Sequence, residues 1–240
     1  MKLYFAGANS ELELFSEMKV EKLLIAYPFA KRHNFYNEKM FIDSGAFTVF
    51  NTGKKIDILE YCRWLKENNV KIYAALDVIG DEKKTRENFD FMISYGLKPI
   101  PTFHFGENFD CLKYYLEKCD YIALGGLVPQ KNNVNKIKNF LNKCFLLGKS
   151  TKFHGFGVNN FEILKKYPFY SVDATSWHNP MRYGQNFVFK DGNLKRTSHK
   201  KITYDKVLSK KEKLKQAITE FLKVEDYITR LWEIRGIKWD

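Results

Sequence analysis

Tyr121-Ile122-Ala123-Leu124-Gly125-Gly126-Leu127 is an apolar run closed by paired glycines. It is too short for a buried helix and has no polar alternation, so it reads as a parallel strand covered on both faces. After it, Val134, Ile137, Leu141 and Cys144 fall at helical spacing, and a second run of the same kind occupies residues 152–158. Strand, helix and strand in that order make a βα unit. Working outward, similar runs occupy residues 3–6, 23–27, 40–43, 72–77 and 99–105 upstream and 170–175 downstream. Amphipathic segments separate most of them. Ile58, Cys62 and Leu65 mark one helix ending at Asn68-Asn69, and Phe109, Leu112, Leu116 and Cys119 mark another. Residues 83–95 form a third with Phe89 and Ile93 turned inward. The connection between the second and third strands shows the least helix. Eight strands alternating with helices predict an α/β fold, a (β/α)8 TIM-type barrel in a single domain over residues 1–240.

Composition agrees. Of 240 residues 45% are hydrophobic and 16% aromatic, enough to fill a large core and to exclude wholesale disorder. No apolar run approaches the roughly 20 residues that span a bilayer. Asn9, Glu11 and Glu13 follow the first apolar residues too soon for a signal peptide, so a cytoplasmic protein of a bacterial, archaeal or phage-infected cell is expected. Cys62, Cys111, Cys119 and Cys144 form no C-x-x-C pair and sit on predicted helix stripes, as small core residues in a reducing compartment.

Net charge is +12, and residues 190–215 concentrate it, with ten basic residues against Asp191, Asp205 and Glu212. A polyphosphate partner would select for such clustering, because each neutralised phosphate releases counterions. A solvated lysine-rich surface is the plainer alternative. Lys190, Lys195, Arg196, Lys200 and Lys201 are the candidate nucleic-acid contacts. Several of them lie in a predicted basic hairpin insertion, residues 186–200, where Phe187-Val188-Phe189 turns through Asp191-Gly192 into Leu194-Lys195-Arg196. A last helix over 209–235 follows, with Leu214, Ile218, Phe221, Ile228 and Leu231 on one face.

Barrel enzymes keep their chemistry at the C-terminal ends of the strands. Here those ends carry Asp43-Ser44-Gly45, Asp77, His104 with Glu107, Gly125-Gly126-Leu127, His154-Gly155 and Asp173. Two chemistries suit this set. Paired carboxylates can work at a sugar carbon, one attacking and the other managing the proton of the leaving or entering group. Alternatively His104, His154 and an aspartate can hold a hydrolytic metal, although no H-x-H or H-E-x-x-H spacing is present. The structural alternative is that the aspartates cap the following helices and the histidines are satisfied core groups.

Asp43-Ser44-Gly45-Ala46-Phe47-Thr48 resembles the D-S-G-G-[FY]-Q motif of tRNA-guanine transglycosylases. Ile122-Ala123-Leu124-Gly125-Gly126-Leu127 resembles that family's G-G-L strand end, Phe153-His154-Gly155-Phe156-Gly157 its M-G-V-G turn, and Val172-Asp173 its F-D nucleophile motif. The resemblance covers about residues 40–180. It implies Asp173 as nucleophile at the anomeric carbon, Asp43 as general acid/base for the purine proton, and Asp77 as hydrogen-bond partner of the base edge. Ser44, Gly45, Gly125, Gly126, Leu127 and Gly155 would complete the pocket, with Phe47 stacking on the base. His104 stands where the family has a base-reading glutamine, His154 where an apolar residue closes the pocket, and Thr48 where the motif ends in glutamine. The family's zinc subdomain is missing: Ser176-Trp177-His178-Asn179-Pro180 leads to the lysine-rich hairpin without a cysteine.

A compact, zinc-free barrel is similar to the DpdA-type enzymes of phages and DNA-modification clusters, relatives of queuine tRNA-ribosyltransferases that place 7-deazaguanines in DNA. The resemblance therefore implies a pentosyltransferase that replaces guanine in DNA with a base such as 7-cyano-7-deazaguanine. It calls for no cofactor and no metal, and leaves room for an accessory protein that opens the duplex. The alternatives are the same exchange on tRNA and a non-catalytic nucleic-acid-binding barrel. Trp177, Phe187 and Phe189 are either aids to holding a flipped nucleotide or ordinary core residues.

Overall fold

The computed structural model describes residues 1–46, 55–128, 133–198 and 209–239. All eight expected strands form: β1 (Lys2–Ala6), β2 (Leu23–Ala26), β3 (Phe41–Asp43), β4 (Ile72–Tyr73), β5 (Thr102–His104), β6 (Tyr121–Gly125), β7 (Lys152–Gly155) and β8 (Ser171–Ala174). They make one sheet in the order β4-β3-β2-β1-β8-β7-β6-β5, every neighbour parallel. A bridge between Ala74 and Ile100 joins its two ends. The Ala75 N–H donates to Ile100 O at 2.8 Å, and the Ile100 N–H donates to Tyr73 O at 2.9 Å. The architecture is a (β/α)8 TIM-like barrel. Its seam is narrow because Pro99 and Pro101 flank Ile100 and bring no N–H, leaving Ile100 as the only donor of that stretch. The strands expected over 72–77 and 99–105 are shorter for the same reason.

The helices are α1 (Leu12–Glu17), α2 (Tyr27–His33), α3 (Ile58–Glu67), α4 (Glu82–Ser94), α5 (Phe109–Leu116), α6 (Val134–Leu147), α7 (Phe161–Lys166), α8 (Asn179–Tyr183) and α9 (Lys210–Ile234). Asp57, Asp81, Asn108, Asn133 and Asn160 each cap the following helix by accepting first-turn N–H groups. The cap of α9 is Ser209, in a reciprocal capping box with Glu212. Helix α2 fills the connection whose sequence showed least helix. Seven residues are too few to display a period, but Pro28 stands in its first turn and Asn34 ends it in the left-handed conformation. Two inward assignments need correction. Ile93 is exposed and Met92 takes its place in the core. Cys119 lies beyond the end of α5, and it and Cys111 are only partly buried, whereas Cys62 and Cys144 are buried as expected.

Side chains alternate across each strand, so the barrel has two cores. The larger lies between strands and helices. The smaller fills the barrel itself: Tyr4, Phe41, Ala74, Ile100 and Ala123, with Leu24, Ile72, Tyr121 and Phe156 against them.

The hairpin forms as β9 (Gln185–Lys190) and β10 (Asn193–Ser198), with Asn193 opposite Lys190. Asp191 and Gly192 take φ of 53° and 66°, the two left-handed residues of a type I′ turn. A side chain at 192 would also strike Tyr227, since a Cβ there lies 2.8 Å from its hydroxyl. Phe187 and Phe189 pack on Phe221 and Tyr227 of α9. The buried Glu220 of that helix accepts the Phe189 N–H at 2.6 Å. Among the described residues no helix is long and apolar enough to cross a membrane.

Candidate active site

Two carboxylates and a histidine gather at the mouth because of strand parity. Asp43 lies two residues beyond Phe41, His104 two beyond Thr102, and Asp173 two beyond Ser171, so each points the same way as an interior residue below it.

On one side, Ser44 Oγ donates to Asp77 Oδ1 at 2.7 Å, and His104 Nε2 lies 3.1 Å from Asp77 Oδ2. His104 Nδ1 lies 3.0 Å from Glu107 Oε1, and its backbone N–H donates to Glu107 Oε2 at 2.9 Å. The ring is thus clamped between two carboxylates. Gly125 makes this possible, because a Cβ there would stand 2.8 Å from the imidazole and 2.9 Å from Thr102 Cγ2. Burial alone pulls an imidazole's pKa down. The hydrogen bonds and negative charge of Asp77 and Glu107 overcome it and raise His104 from 6.5 to about 9. The folded state therefore binds this proton more tightly than the unfolded chain. The resulting stability is whole below pH 6.5 and is lost as pH rises through about 9. In urea unfolding, wild type is expected to lose stability between pH 7 and 10 more steeply than His104→Gln. Parallel slopes would mean a neutral ring.

On the other side, the Gly157 N–H donates to Asp173 Oδ1 at 2.7 Å, and His154 Nε2 lies 3.4 Å from the same oxygen. Asp43 lies at the end of β3 and accepts the Gly45 N–H at 3.2 Å. Burial, then the negative charges of Asp77 and Asp173, push its pKa up to about 7 against the help of the Gly45 and Ser44 backbone. One mouth thus holds a backbone-anchored carboxylate and a second one poised to exchange a proton near neutral pH, the division of labour of acid/base sites that act on sugars. A cleft of about 740 Å³ is lined by Gly157, whose N–H holds Asp173, and by Thr175, Ser176, Phe161, Phe187 and Arg196; none of the three aspartates lines it.

No family model matches the chain, and no curated protein does. Among solved structures, a protein of Aquifex aeolicus VF5, described as a structural study of a project target, is similar with a TM-score of 0.48 and 14% identity. The match covers 73% of this chain and 83% of that one.

Of the other residues singled out from sequence, Gly126 is exposed at the mouth, while Leu127 turns into the outer core. Gly155 packs outward against Val158 and Phe169. His154 is fully buried beneath Asp173 and does not open to the mouth as a pocket wall would. Trp177 and Phe187 are core residues, at 0% and 2% exposure, with the Trp177 indole N–H donating to Ala6 O. Phe47, Thr48, Lys200 and Lys201 lie outside the described residues. Lys190, Lys195 and Arg196 are exposed and make no ion pair among the described residues. Lys210, Lys211 and Lys215 differ, being paired with Glu11, just before α1, and with Glu17 at its end. Among the described residues no three His, Cys, Asp or Glu side chains are arranged to hold a metal ion. Sequence reading missed Ser171 and Tyr121, which lie under His154. Ser171 had a signal, since it stands two residues before Asp173 on the same strand face.

Proposed function

We propose that this barrel is a pentosyltransferase that exchanges guanine in DNA for a 7-deazaguanine through a covalent bond between Asp173 and the sugar. The observation that carries the reading is the unequal pair at the mouth: Asp173 held by the Gly157 N–H, and Asp43 pushed up to about 7. In the first displacement an Asp173 oxygen bonds to C1′ as the bond to guanine N9 breaks, and the departing purine takes its proton from Asp43. In the second, Asp43 as carboxylate removes the proton of the incoming base. That nitrogen then bonds to C1′, and Asp173 is released with configuration retained. Asp77, held in place by Ser44 and His104, supplies an acceptor for the edge of the base through its remaining lone pairs. The target nucleotide must leave the stack to reach this mouth, and the cleft beside Gly157 gives the flanking strand a place to lie.

The test is a trapping gel with duplex DNA, single-stranded DNA and tRNA, each containing guanine and incubated without an incoming base. A band that survives denaturation establishes the adduct and names the polymer. A band with tRNA alone moves the activity to tRNA, and tight binding without any band or base exchange points to a binding barrel.

The exposed hairpin cations are the expected phosphate contacts. Replacing Lys190, Lys195 and Arg196 together by Gln is expected to weaken DNA binding and to flatten the slope of log K against log salt by up to about 3. Lys211→Gln, which removes a cation already paired with Glu17, is expected to leave the slope nearly unchanged. Anisotropy titrations between 50 and 200 mM salt decide; an unaltered slope in the triple variant removes the hairpin from the interface.

A further inference from the structure

Beneath the mouth a line of polar side chains runs down through the barrel. Tyr121 Oη lies 2.6 Å from Ser171 Oγ, Ser171 Oγ lies 2.7 Å from His154 Nδ1, and His154 Nε2 reaches Asp173 Oδ1 at 3.4 Å. His154 and Ser171 are both fully buried. The imidazole is wedged among the rings of Tyr4, Phe41 and Phe156, with centroids 6.1, 4.7 and 4.6 Å away. A polar ring in such a place costs stability unless its nitrogens are satisfied, and an apolar side chain would pack there without that cost. Its Nε2 is buried with no hydrogen-bond partner among the described residues, and Asp173 Oδ1 stands 3.4 Å away.

We propose that His154 is the positioning residue of Asp173: fixed as its Nε2–H tautomer by Ser171 and Tyr121, it directs that N–H to Oδ1 and leaves Oδ2 as the atom that attacks the sugar. The proposal rests on the reading of Asp173 as nucleophile. The direction of the chain follows from counting protons. Tyr121 keeps its phenolic proton, because burial holds its pKa well above the ordinary value, and it donates to Ser171. The single Ser171 proton is then left for His154 Nδ1, which must be the acceptor. Burial, opposed by the neighbouring Asp173, keeps the ring below its usual pKa and so neutral. Its one proton is therefore on Nε2. Oδ1 of Asp173 receives the Gly157 N–H from one side and faces this N–H on the other, while no hydrogen bond reaches Oδ2 among the described residues. Donors on one oxygen fix the rotation of the carboxylate and leave the other oxygen's lone pairs unencumbered. A 3.4 Å separation is long for a resting hydrogen bond, and such contacts tighten when the reacting atoms are in place.

Two readouts test this. Nitrogen-15 spectra of ring-labelled protein report the tautomer, with the His154 signals assigned by their loss in His154→Gln. Wild type is expected to show a protonated Nε2 and a bare Nδ1, and Asp173→Asn is expected to move the Nε2 signal. A protonated Nδ1 overturns the proposal. For adduct formation at saturating nucleic acid, His154→Leu is expected to be about 10 to 100-fold slower, with binding within about twofold of wild type. His154→Gln, whose amide can donate near the same position, is expected to recover at least about threefold of that loss. A folded His154→Leu that forms adduct at the wild-type rate sinks the idea. Should that variant not fold, Ser171→Ala removes one oxygen only, and it is expected to mix the tautomers and slow adduct formation; unchanged tautomer and rate would overturn the proposal equally. If wild type itself forms no adduct, the functional reading fails, while the tautomer and its response to Asp173→Asn still decide whether His154 and Asp173 are paired.

Discussion

Asp173→Asn is expected to abolish the covalent adduct and to lower base exchange by at least about 10⁴-fold, while nucleic-acid binding stays within about twofold of wild type. The substitution is nearly isosteric. The amide oxygen still accepts the Gly157 N–H, so the mouth keeps its shape, but an amide cannot bond to C1′ and leave again. A second consequence follows from the electrostatics. The charge of Asp173 is one of the groups that raise Asp43, so Asp43 should titrate lower in the variant, and carboxylate infrared or carbon-13 spectra will detect this. A denaturation-resistant band in Asp173→Asn would remove Asp173 from the nucleophile's role. A missing band in both proteins, with tight DNA binding, would leave a barrel that holds nucleic acid without reacting.

Asp43 produces the second large effect, and its sign differs between the two half-reactions. With guanine leaving and no incoming base, the protonated acid is needed, so the single-turnover rate of adduct formation should fall about tenfold per pH unit above about 7. Discharge of a preformed adduct by a 7-deazaguanine needs the carboxylate and should rise toward the same pH. Asp43→Asn should cost about 10² to 10⁴-fold in exchange and erase both limbs. Identical pH limbs in the variant would assign the proton to another group. Stability moves the other way. The folded-state pKa of Asp43 stands above its ordinary 3.8, so its favourable contribution is present below that value and is lost as pH rises through about 7. Asp43→Asn is therefore expected to be more stable than wild type to urea at pH 8, a site that gives up stability for reactivity.

Much of the fold and of the mouth could be read along the chain. The runs ending at Asp43, His104, Gly125 and Asp173 are locally encoded, since an apolar stretch too short for a helix must be a covered strand. The hairpin announced itself through Asp191-Gly192, whose left-handed residues leave few alternatives to a type I′ turn. Helix α2 did not, because one apolar turn carries no period. The inward place given to Ile93 failed because at the end of α4 a shift of one residue turns a side chain by 100°, and packing chose Met92.

What the sequence determined by itself was whatever depends on neighbours in the chain: strand and helix order, the parity that sends Asp43 and Asp173 to one end of the barrel, the turn, and the excess of positive charge. Tertiary structure alone decided what depends on partners far apart in sequence. It separated Lys190, Lys195 and Arg196, which make no ion pair among the described residues, from Lys210, Lys211 and Lys215, which pair with Glu11 and Glu17. It clamped His104 between Asp77 and Glu107, and it drew Tyr121, Ser171 and His154 into one line beneath Asp173. Protonation states and hydrogen-bond partners are set by burial and by charges a few ångströms away, and those distances exist only once the eight strands have closed on one another.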